Sequence, residues 1–430
     1  MKKQLLKDLP ELEQEAVITA DVAEAIRSYY ARKESHSNNR LLTIFGVLGA
    51  CLVGLGIILI IAHNWDSLPR LVKTTLAFLP LLTGQGIGLF ALLKKNDQAP
   101  WRESSATFLF FSIGACISLV SQIYNIPGNL GSFLLTWTLL SLPIIYLLRS
   151  SMVSLLYIIG ITWLVGETDY WSHSAVSVHL YWPLLAAIIP HYLGLMRQRP
   201  EGNFTNFHHW FIILSIIFSL RSIASHINDW LFPAYMSLFG TIYLLGQLPS
   251  FSSVKRRNNA YLVLGSFGTI VLLLTLSFDW IWKDIADQSH SLGLLIRTPD
   301  FFISLLLTAI GTSLYIFKMQ RNREQKLNPL ELIFMAFMLL FIIGHYSPVI
   351  PQVMINLLVL VIGLFYIRYG TNNNHLGILN YGLLTITTLV ICRFFDTNIS
   401  FVMRGLLFIV VGTGFFFANY KMLQKRKTNA

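Results

Sequence analysis

Long apolar segments separated by short polar connectors make up most of this chain. The first runs from residue 41 to residue 62 and is followed at once by the polar sequence HNWD. At about 1.5 Å per residue, a helix of that length crosses a bilayer. Similar segments occupy residues 41–63, 70–93, 104–124, 131–148, 151–166, 176–196, 207–226, 230–248, 259–280, 301–318, 330–346, 351–368, 376–394 and 400–420. The pattern predicts an all-α polytopic integral membrane bundle of about fourteen transmembrane helices.

The composition favours lipid as the solvent for much of this surface. Of the 430 residues, 54% are hydrophobic and 12% are charged, whereas soluble domains carry about 25% charged residues. One water-soluble core could not bury so much apolar surface, so lipid has to cover much of it.

Most basic residues lie in alternate connectors, which predicts an orientation. If the N-terminus is cytosolic, 25 of the 32 Lys and Arg fall in residues 1–40, the inner connectors and the C-terminal tail. This is the positive-inside pattern, and with an even number of spans it places both termini in the cytosol. Because the charges form no single basic face, they argue against a nucleic-acid partner despite the net charge of +11.

Residues 1–40 differ from the rest of the chain, with seven acidic and seven basic residues. Their first fifteen residues contain no short apolar core, so we expect no cleavable signal peptide. A helix is predicted to begin near Thr19 to Asp21, with Asp21 as N-cap and Glu24 as its capping partner. We predict a small cytosolic amphipathic helical hairpin, which is either a solvated or interfacial tail or a docking module for a soluble protein.

Polar side chains gather at the predicted outer ends of the first and last spans. Arg393 and Arg404 break the positive-inside pattern, and an isolated arginine at bilayer depth costs at least about 2.5 kcal/mol. The candidate polar site comprises His63, Asn64, Trp65, Asp66, Arg70, Gln122, Tyr124, Asn125, Arg393, Asp396 and Arg404. An interfacial aromatic belt would explain some of the aromatic residues at these ends.

Two hypotheses account for this site. In the first, the residues line an outward-facing cavity, where the arginines bind an anionic head group and a carboxylate or His63 carries a coupled proton. In the second, Asp66 and Asp396 form ion pairs with the nearby arginines and hold helices together. The sequence leaves both open.

Small residues inside the apolar segments are predicted to let helices pack closely. Gly84 and Gly88 form a GxxxG pair, and Gly46, Ala50 and Gly54 recur every four residues. Both patterns are typical of helix–helix contacts in membranes.

No motif for an enzyme or a cofactor is present in the sequence. The chain lacks the HExxH, GxSxG and GxxxxGKS patterns and has no cluster at metal-ligand spacing. Cys51, Cys116 and Cys392 fall in apolar segments without a CxxC spacing, which is typical of packing residues. We therefore predict that the protein is not an enzyme and has neither a cofactor nor a metal site.

Two blocks of sequence resemble a known family. The first contains NNRLLTIFGVLGACLVGLGIILIIAHNWDSLPRLVK, FSIGACISLVSQIYNIPG and LPIIYLLRSSM, and the second is LGILNYGLLTITTLVICRFFDTNISFVMRGLLFIVVGTGFFF. Over residues 1 to about 160 and, less closely, 366 to 420, the chain resembles the uncharacterised bacterial membrane proteins called "domain of unknown function 2157". The resemblance implies a multi-pass protein of the bacterial cytoplasmic (inner) membrane, and it carries no agreed activity.

These features predict three parts of the chain. Residues 1–40 form the cytosolic segment, residues 41–160 the transmembrane block that resembles the family, and residues 161–430 the remaining helices and a basic cytosolic tail. The leading functional prediction is a transporter- or flippase-like carrier of an amphipathic or anionic molecule, with the polar site at the extracytoplasmic helix ends. The alternative is a non-transporting scaffold or envelope-assembly partner that docks through residues 1–40. The expected partners are membrane lipid, a small anionic or lipid-like ligand and, at residues 1–40, a cytosolic protein.

Overall fold

The chain folds into helices grouped in two compact units, Met1–Gln198 and Arg199–Ala430. The computed structural model describes residues 9–13, 15, 17–63, 68–171, 176–223, 230–251, 258–287, 297–321 and 328–394, and separate positions between 400 and 420. Within these residues all regular secondary structure is helical, as predicted. The predicted boundaries at residues 40 and 160 stay predictions.

Unit 1, residues 1–198, is arranged around one central helix. Its described helices are α1 (Ala20–His63), α2 (Arg70–Lys94), α3 (Ala99–Tyr124), α4 (Leu130–Leu147), α5 (Ser151–Val165), α6 (Tyr181–Ala186) and α7 (Ile189–Gln198). A π-helical turn at Gly166–Trp171 extends α5, and a 3₁₀ turn at Val178–Leu180 leads into α6. Helix α3 packs against α1, α2 and α4, and it buries Phe110, Ile113 and Leu119.

Helix α1 runs without a break from the polar N-terminal segment into the first apolar segment. Its 44 residues span about 66 Å, and the sequence holds no Gly or Pro between residues 20 and 45 that would interrupt it. The N-cap predicted at Asp21 is wrong by two residues. Asp21 lies in the first turn, and the helix starts with a hydrogen bond from the Ala23 N–H to the Thr19 carbonyl.

Capping residues separate α3, α4 and α5. Asn125 ends α3 in a left-handed conformation with φ 50°, and the Asn129 side chain accepts a hydrogen bond from the Ser132 N–H at 2.8 Å to begin α4. Arg149 is also left-handed, with φ 49°, and Ser150 caps α5. Because a left-handed residue ends a helix, the nearly continuous apolar stretch 141–166 forms two helices, as predicted.

Unit 2, residues 199–430, is also arranged around one buried helix. Its described helices are α8 (Asn203–Ser219), α9 (Leu231–Leu245), α10 (Ala260–Thr275), α11 (Asp279–Asp287), α12 (Pro299–Arg321), α13 (Ile333–Gly344), α14 (Val349–Asn372) and α15 (Leu376–Phe394). A 3₁₀ turn at Pro329–Glu331 precedes α13. Helix α9 packs against α10, α12 and α13, and α14 packs along α15.

The predicted span 259–280 is not one straight helix. Helix α10 ends at Thr275, α11 begins at Asp279, and the two helices are bent by 76°. The predicted segment is therefore corrected to a bent pair. The reason lies in the tertiary contacts around residues 276–278, which replace the hydrogen bonds of a continuous helix.

Glycines bring the helix backbones close together. A Cβ atom built on Gly265 would lie 2.7 Å from the Tyr243 backbone N, and one on Gly382 would lie 2.7 Å from the Gly363 carbonyl oxygen. In unit 1, a Cβ on Gly84 would lie 3.3 Å from the Leu109 Cα atom. The packing role predicted for Gly84 is therefore confirmed, since a larger residue would push α2 away from α3.

The apolar helices establish a helical membrane protein. Eight described helices are long and apolar enough to cross a membrane, and the bent pair α10–α11 makes a ninth if it is one span. Shorter apolar helices lie at Leu42–Val53, Leu231–Leu245 and Ile333–Gly344. The first thirteen predicted segments each overlap a described helix or broken helix, but residues 400–420 are described only at separate positions. The total of fourteen spans stays a prediction.

Candidate functional site

In unit 1, the structure brings together two of the predicted site residues. The Arg70 guanidinium carbon lies 5.0 Å from the centre of the Tyr124 ring, and Arg70 donates a hydrogen bond to the Ile123 carbonyl at 3.5 Å. The Tyr124 hydroxyl lies 3.2 Å from the Thr74 Oγ1. These contacts join the start of α2 to the end of α3 and place a positive charge against an aromatic face and a carbonyl end.

Among the other predicted residues of unit 1, Gln122 and Asn125 are described with their side chains. The Gln122 and Asn125 side chains are exposed, and Asn125 serves as the left-handed end of α3. His63 is the last residue of α1. The remaining three residues of this group, Asn64, Trp65 and Asp66, lie outside the described residues.

In unit 2, side chains of α11, of α14 and of the break itself donate hydrogen bonds to the backbone carbonyls at the break between α10 and α11. The Trp282 Nε1 donates a hydrogen bond to the Leu276 carbonyl at 2.7 Å, and the Asn356 Nδ2 donates one to the Ser277 carbonyl at 3.0 Å. The Ser277 hydroxyl donates to the Leu274 carbonyl at 2.6 Å. Carbonyl groups that a bend removes from the helical pattern are thus supplied with donors, as an apolar surrounding requires.

Arg393, the second predicted arginine that the structure describes, lies at this break. Its Nη2 donates a hydrogen bond to the Ser277 Oγ at 3.1 Å, and its guanidinium carbon lies 4.7 Å from the centre of the Phe278 ring. A cation at the carbonyl end of α10 is electrostatically favourable. The predicted partner Asp396 and the last predicted arginine, Arg404, lie outside the described residues.

Arg70 and Arg393 have a similar environment in their own units. Each guanidinium lies over an aromatic ring and donates to an oxygen atom near a helix end. The predicted ion pairs with Asp66 and Asp396 involve carboxylates outside the described residues, so those pairs stay predictions. The choice between a ligand cavity and structural pairing also stays open.

Glu103 is a buried acid that the sequence analysis did not single out. Its side chain is 5% exposed and accepts hydrogen bonds from the Ser150 Oγ at 2.6 Å, the Ser151 N–H at 3.0 Å and the Met152 N–H at 2.9 Å. It therefore supplies a negative charge to the N-terminus of α5, where the helix dipole favours an anion. The only sequence signal is an acid at the border of a basic connector, which we interpreted as a topology signal.

A second polar group missed from sequence lies at the other end of unit 2. Lys318, near the end of α12, contacts Glu331 of the 3₁₀ turn, and the Asn328 side chain contacts Tyr243 and Tyr366. In the sequence these residues fall within or beside connectors. No local pattern predicts that they meet.

The described residues offer no obvious metal centre. No group of three or more His, Cys, Asp or Glu residues in the described ranges could hold a metal ion. The polar chemistry that remains in the described residues includes arginines, amides, hydroxyls, the buried histidines His208 and His209, and the buried carboxylates of Glu103, Asp300 and Glu331.

One comparison with known proteins gives a match, and it lies in the N-terminal third of the chain. No curated protein and no solved structure matches the chain. Residues 10–154 match the model of a family described as "Predicted membrane protein (DUF2157)", whereas the resemblance of residues 366–420 stays a prediction. The predicted resemblance is therefore confirmed where the match lies: residues 10–154, from the N-terminal helical residues to the start of α5, are similar to this family of predicted membrane proteins.

Proposed function

We propose that this membrane protein is a carrier for an anionic or amphipathic molecule, and that Arg393 at the α10–α11 break recognises the anionic group. The observation that carries the proposal is the 76° bend in an apolar helix pair, with Arg393 in contact with both Ser277 and Phe278 inside the bend.

A bend of this kind interrupts the hydrogen bonds of a helix, and backbone groups left without partners in lipid are costly. Backbone outside a regular helix is tolerated at membrane depth only where protein buries it or where it lines a water-filled cavity. Discontinuous helices are typical of substrate and ion sites in membrane carriers. Here Trp282 and Asn356 hold the bend in place, so its geometry is fixed before any ligand arrives.

The chemistry of the bend favours an anion. A guanidinium presents five N–H donors in a planar fork that matches a phosphate or a carboxylate, and Arg393 donates from its Nη2 to the Ser277 Oγ. The Phe278 ring holds the guanidinium plane by a cation–π contact. Such an arrangement orients the guanidinium fork at the break.

A scaffold is the second candidate. It is favoured by α1, whose residues 20–40 continue the helix beyond the first apolar segment by about 30 Å, which would give a rigid arm for a cytosolic partner. In that case Arg393 would only stabilise the carbonyl end of α10, and its loss would change stability without changing the binding of any anion.

The two candidates are separated by native mass spectrometry of the detergent-purified protein with phosphatidylglycerol or inorganic phosphate. For the carrier, we expect a stoichiometric adduct with one of these probes that Arg393→Ala weakens at least about tenfold, or about 1.4 kcal/mol. The matched control is Arg368→Ala, because Arg368 is an exposed arginine of α14 in the same unit. It should keep the adduct.

Melting temperatures of the same samples complete the test. An adduct that is lost from folded Arg393→Ala supports the carrier. Equal adducts on the wild type and both variants, or no adduct beyond bulk lipid, would refute the proposed site and favour the scaffold.

A further inference from the structure

Three side chains of unit 2 form a buried polar group at the end of the unit away from Arg393. The Lys318 Nζ donates hydrogen bonds to the Gln247 Oε1 and the Glu331 Oε1, each at 2.5 Å. The Lys318 side chain is 15% exposed and the Glu331 side chain 5%. A charged pair with so little access to water is expensive to desolvate. Its contacts therefore have to offset that cost.

The two oxygens that contact the ammonium are of the kinds that also bind free cations. One is a carboxylate oxygen and the other an amide oxygen, which are the ligand types that hard cations take in proteins, at about 2.3–2.6 Å for Ca²⁺. Gln247 directs its carbonyl oxygen at the ammonium, although its Nε2 is then buried with no hydrogen-bond partner among the described residues. The amide is therefore oriented for a positive charge.

Contacts that do not involve Lys318 hold the turn that carries Glu331. Asn328 begins the 3₁₀ turn that carries Glu331, and its Oδ1 accepts a hydrogen bond from the Leu330 N–H at 3.2 Å. The Asn328 Nδ2 donates to the Tyr243 hydroxyl at 2.7 Å, and the Tyr366 hydroxyl donates to the Asn328 Oδ1 at 3.0 Å. Helices α9 and α14 thus hold the turn that carries Glu331 through Asn328, without help from the lysine.

We propose that Gln247 and Glu331 form a binding site for a small monovalent cation, and that the chain fills this site with its own ammonium group, Lys318 Nζ. The site is independent of the function proposed above. The ammonium connects the end of α12 to the turn that follows α9 and to the turn before α13, a role that a dissociable cation would otherwise have to perform. An ordinary structural ion pair would also connect them, but it would not leave a functional cation site after the lysine is removed.

Removal of the tethered cation tests the proposal. Lys318→Ala deletes the ammonium and leaves space for a free cation, while Gln247 and Glu331 keep their oxygens. Melting temperatures are measured at equal ionic strength in choline chloride, sodium chloride and ethylammonium chloride. We expect the wild type to melt at one temperature in all three salts, and Lys318→Ala to melt several degrees lower in choline.

Sodium or ethylammonium should then restore at least half of that loss, with a saturable concentration dependence. Lys318→Ala,Glu331→Gln should show no rescue, because the carboxylate that binds the cation is gone. Arg321→Ala is the matched control, since Arg321 is an exposed base one turn further along the same region of α12, and it should behave like the wild type.

Lys318→Met is the second variant, because it keeps the apolar stem and fills the space. It should melt below the wild type and gain nothing from sodium. The proposal is overturned if Lys318→Ala melts like the wild type, if choline rescues it as well as sodium does, or if neither small cation does. If Lys318→Ala folds only in buffers that contain sodium or ethylammonium, the proposal is supported. If it folds in none of the buffers, the proposal is overturned.

Discussion

Replacing Glu103 should destabilise unit 1, because this carboxylate is the acceptor for three donors at the start of α5. Glu103→Ala would leave the Ser151 and Met152 N–H groups and the Ser150 hydroxyl without their acceptor. Ser150 itself caps α5 through a hydrogen bond from the Val153 N–H to its Oγ at 3.2 Å, so the substitution also loosens that cap.

The expected magnitude follows from these contacts. Hydrogen bonds to a charged group contribute about 1.5–3 kcal/mol each, and a buried donor left without an acceptor costs about 1–3 kcal/mol. Glu103→Ala no longer has to bury a carboxylate, which costs several kcal/mol. This gain offsets only part of the loss, because the three donors stay buried without an acceptor. Since such terms are not additive, we expect a net loss of about 3–6 kcal/mol. For a unit of this size that is a fall of roughly 6–24 °C in melting temperature.

The assay uses a buried cysteine as its reporter. Cys116 of α3 is 6% exposed, so in a Cys51→Ser, Cys392→Ser background a thiol-reactive dye reports the opening of unit 1. Glu103→Gln keeps the shape and a carbonyl acceptor but loses the charge, and it should give an intermediate melting temperature. Glu201→Ala, at an exposed acid, is the control and should match the background protein. A melting temperature for Glu103→Ala within about 2 °C of the background, below what 1 kcal/mol would produce, would refute the reasoning.

Two further substitutions test the packing and the aromatic contacts. A Cβ on Gly268 would lie 2.2 Å from the Phe239 ring, whereas one on Gly86 meets nothing within 4 Å. Gly268→Ala should therefore cost about 1–3 kcal/mol by overpacking, while Gly86→Ala should lose nothing, and equal melting temperatures for the two variants would contradict this. Trp137→Phe removes the hydrogen bond from the Trp137 Nε1 to the Phe110 carbonyl at 2.8 Å. It should lower stability by about 0.5–1.5 kcal/mol in a denaturant titration, and an unchanged midpoint would mean that the bond contributes nothing.

The helices and most of their boundaries could be predicted from sequence because their causes are local. An apolar run of sufficient length, bounded by residues such as Asn125 and Asn129, forms a helix wherever lipid or protein covers it. The contact between Arg70 and Tyr124 was within reach for a related reason, since both were predicted at the same ends of neighbouring spans. Its chemistry, a cation over a ring, was not predicted.

The N-terminal segment shows where local reasoning fails even for a helix. The predicted helix start near Thr19 to Asp21 is confirmed, because α1 begins at Ala20, but the N-cap predicted at Asp21 is wrong, and α1 continues without a break to His63. At residue 40 the chain is predicted to pass from water into lipid. A helix can continue through that change of surroundings, because its backbone hydrogen bonds are the same in both.

The sequence by itself determined that this is an all-helical membrane protein, because burial in lipid leaves an apolar chain no other way to satisfy its backbone in so many consecutive segments. Only the tertiary structure decided which polar groups meet. Glu103 reaches the start of α5 from 48 residues away, and Asn356 reaches the α10–α11 break from 79 residues away. Such contacts depend on how helices pack, and packing is set by shape and close backbone approach rather than by any pattern along one segment.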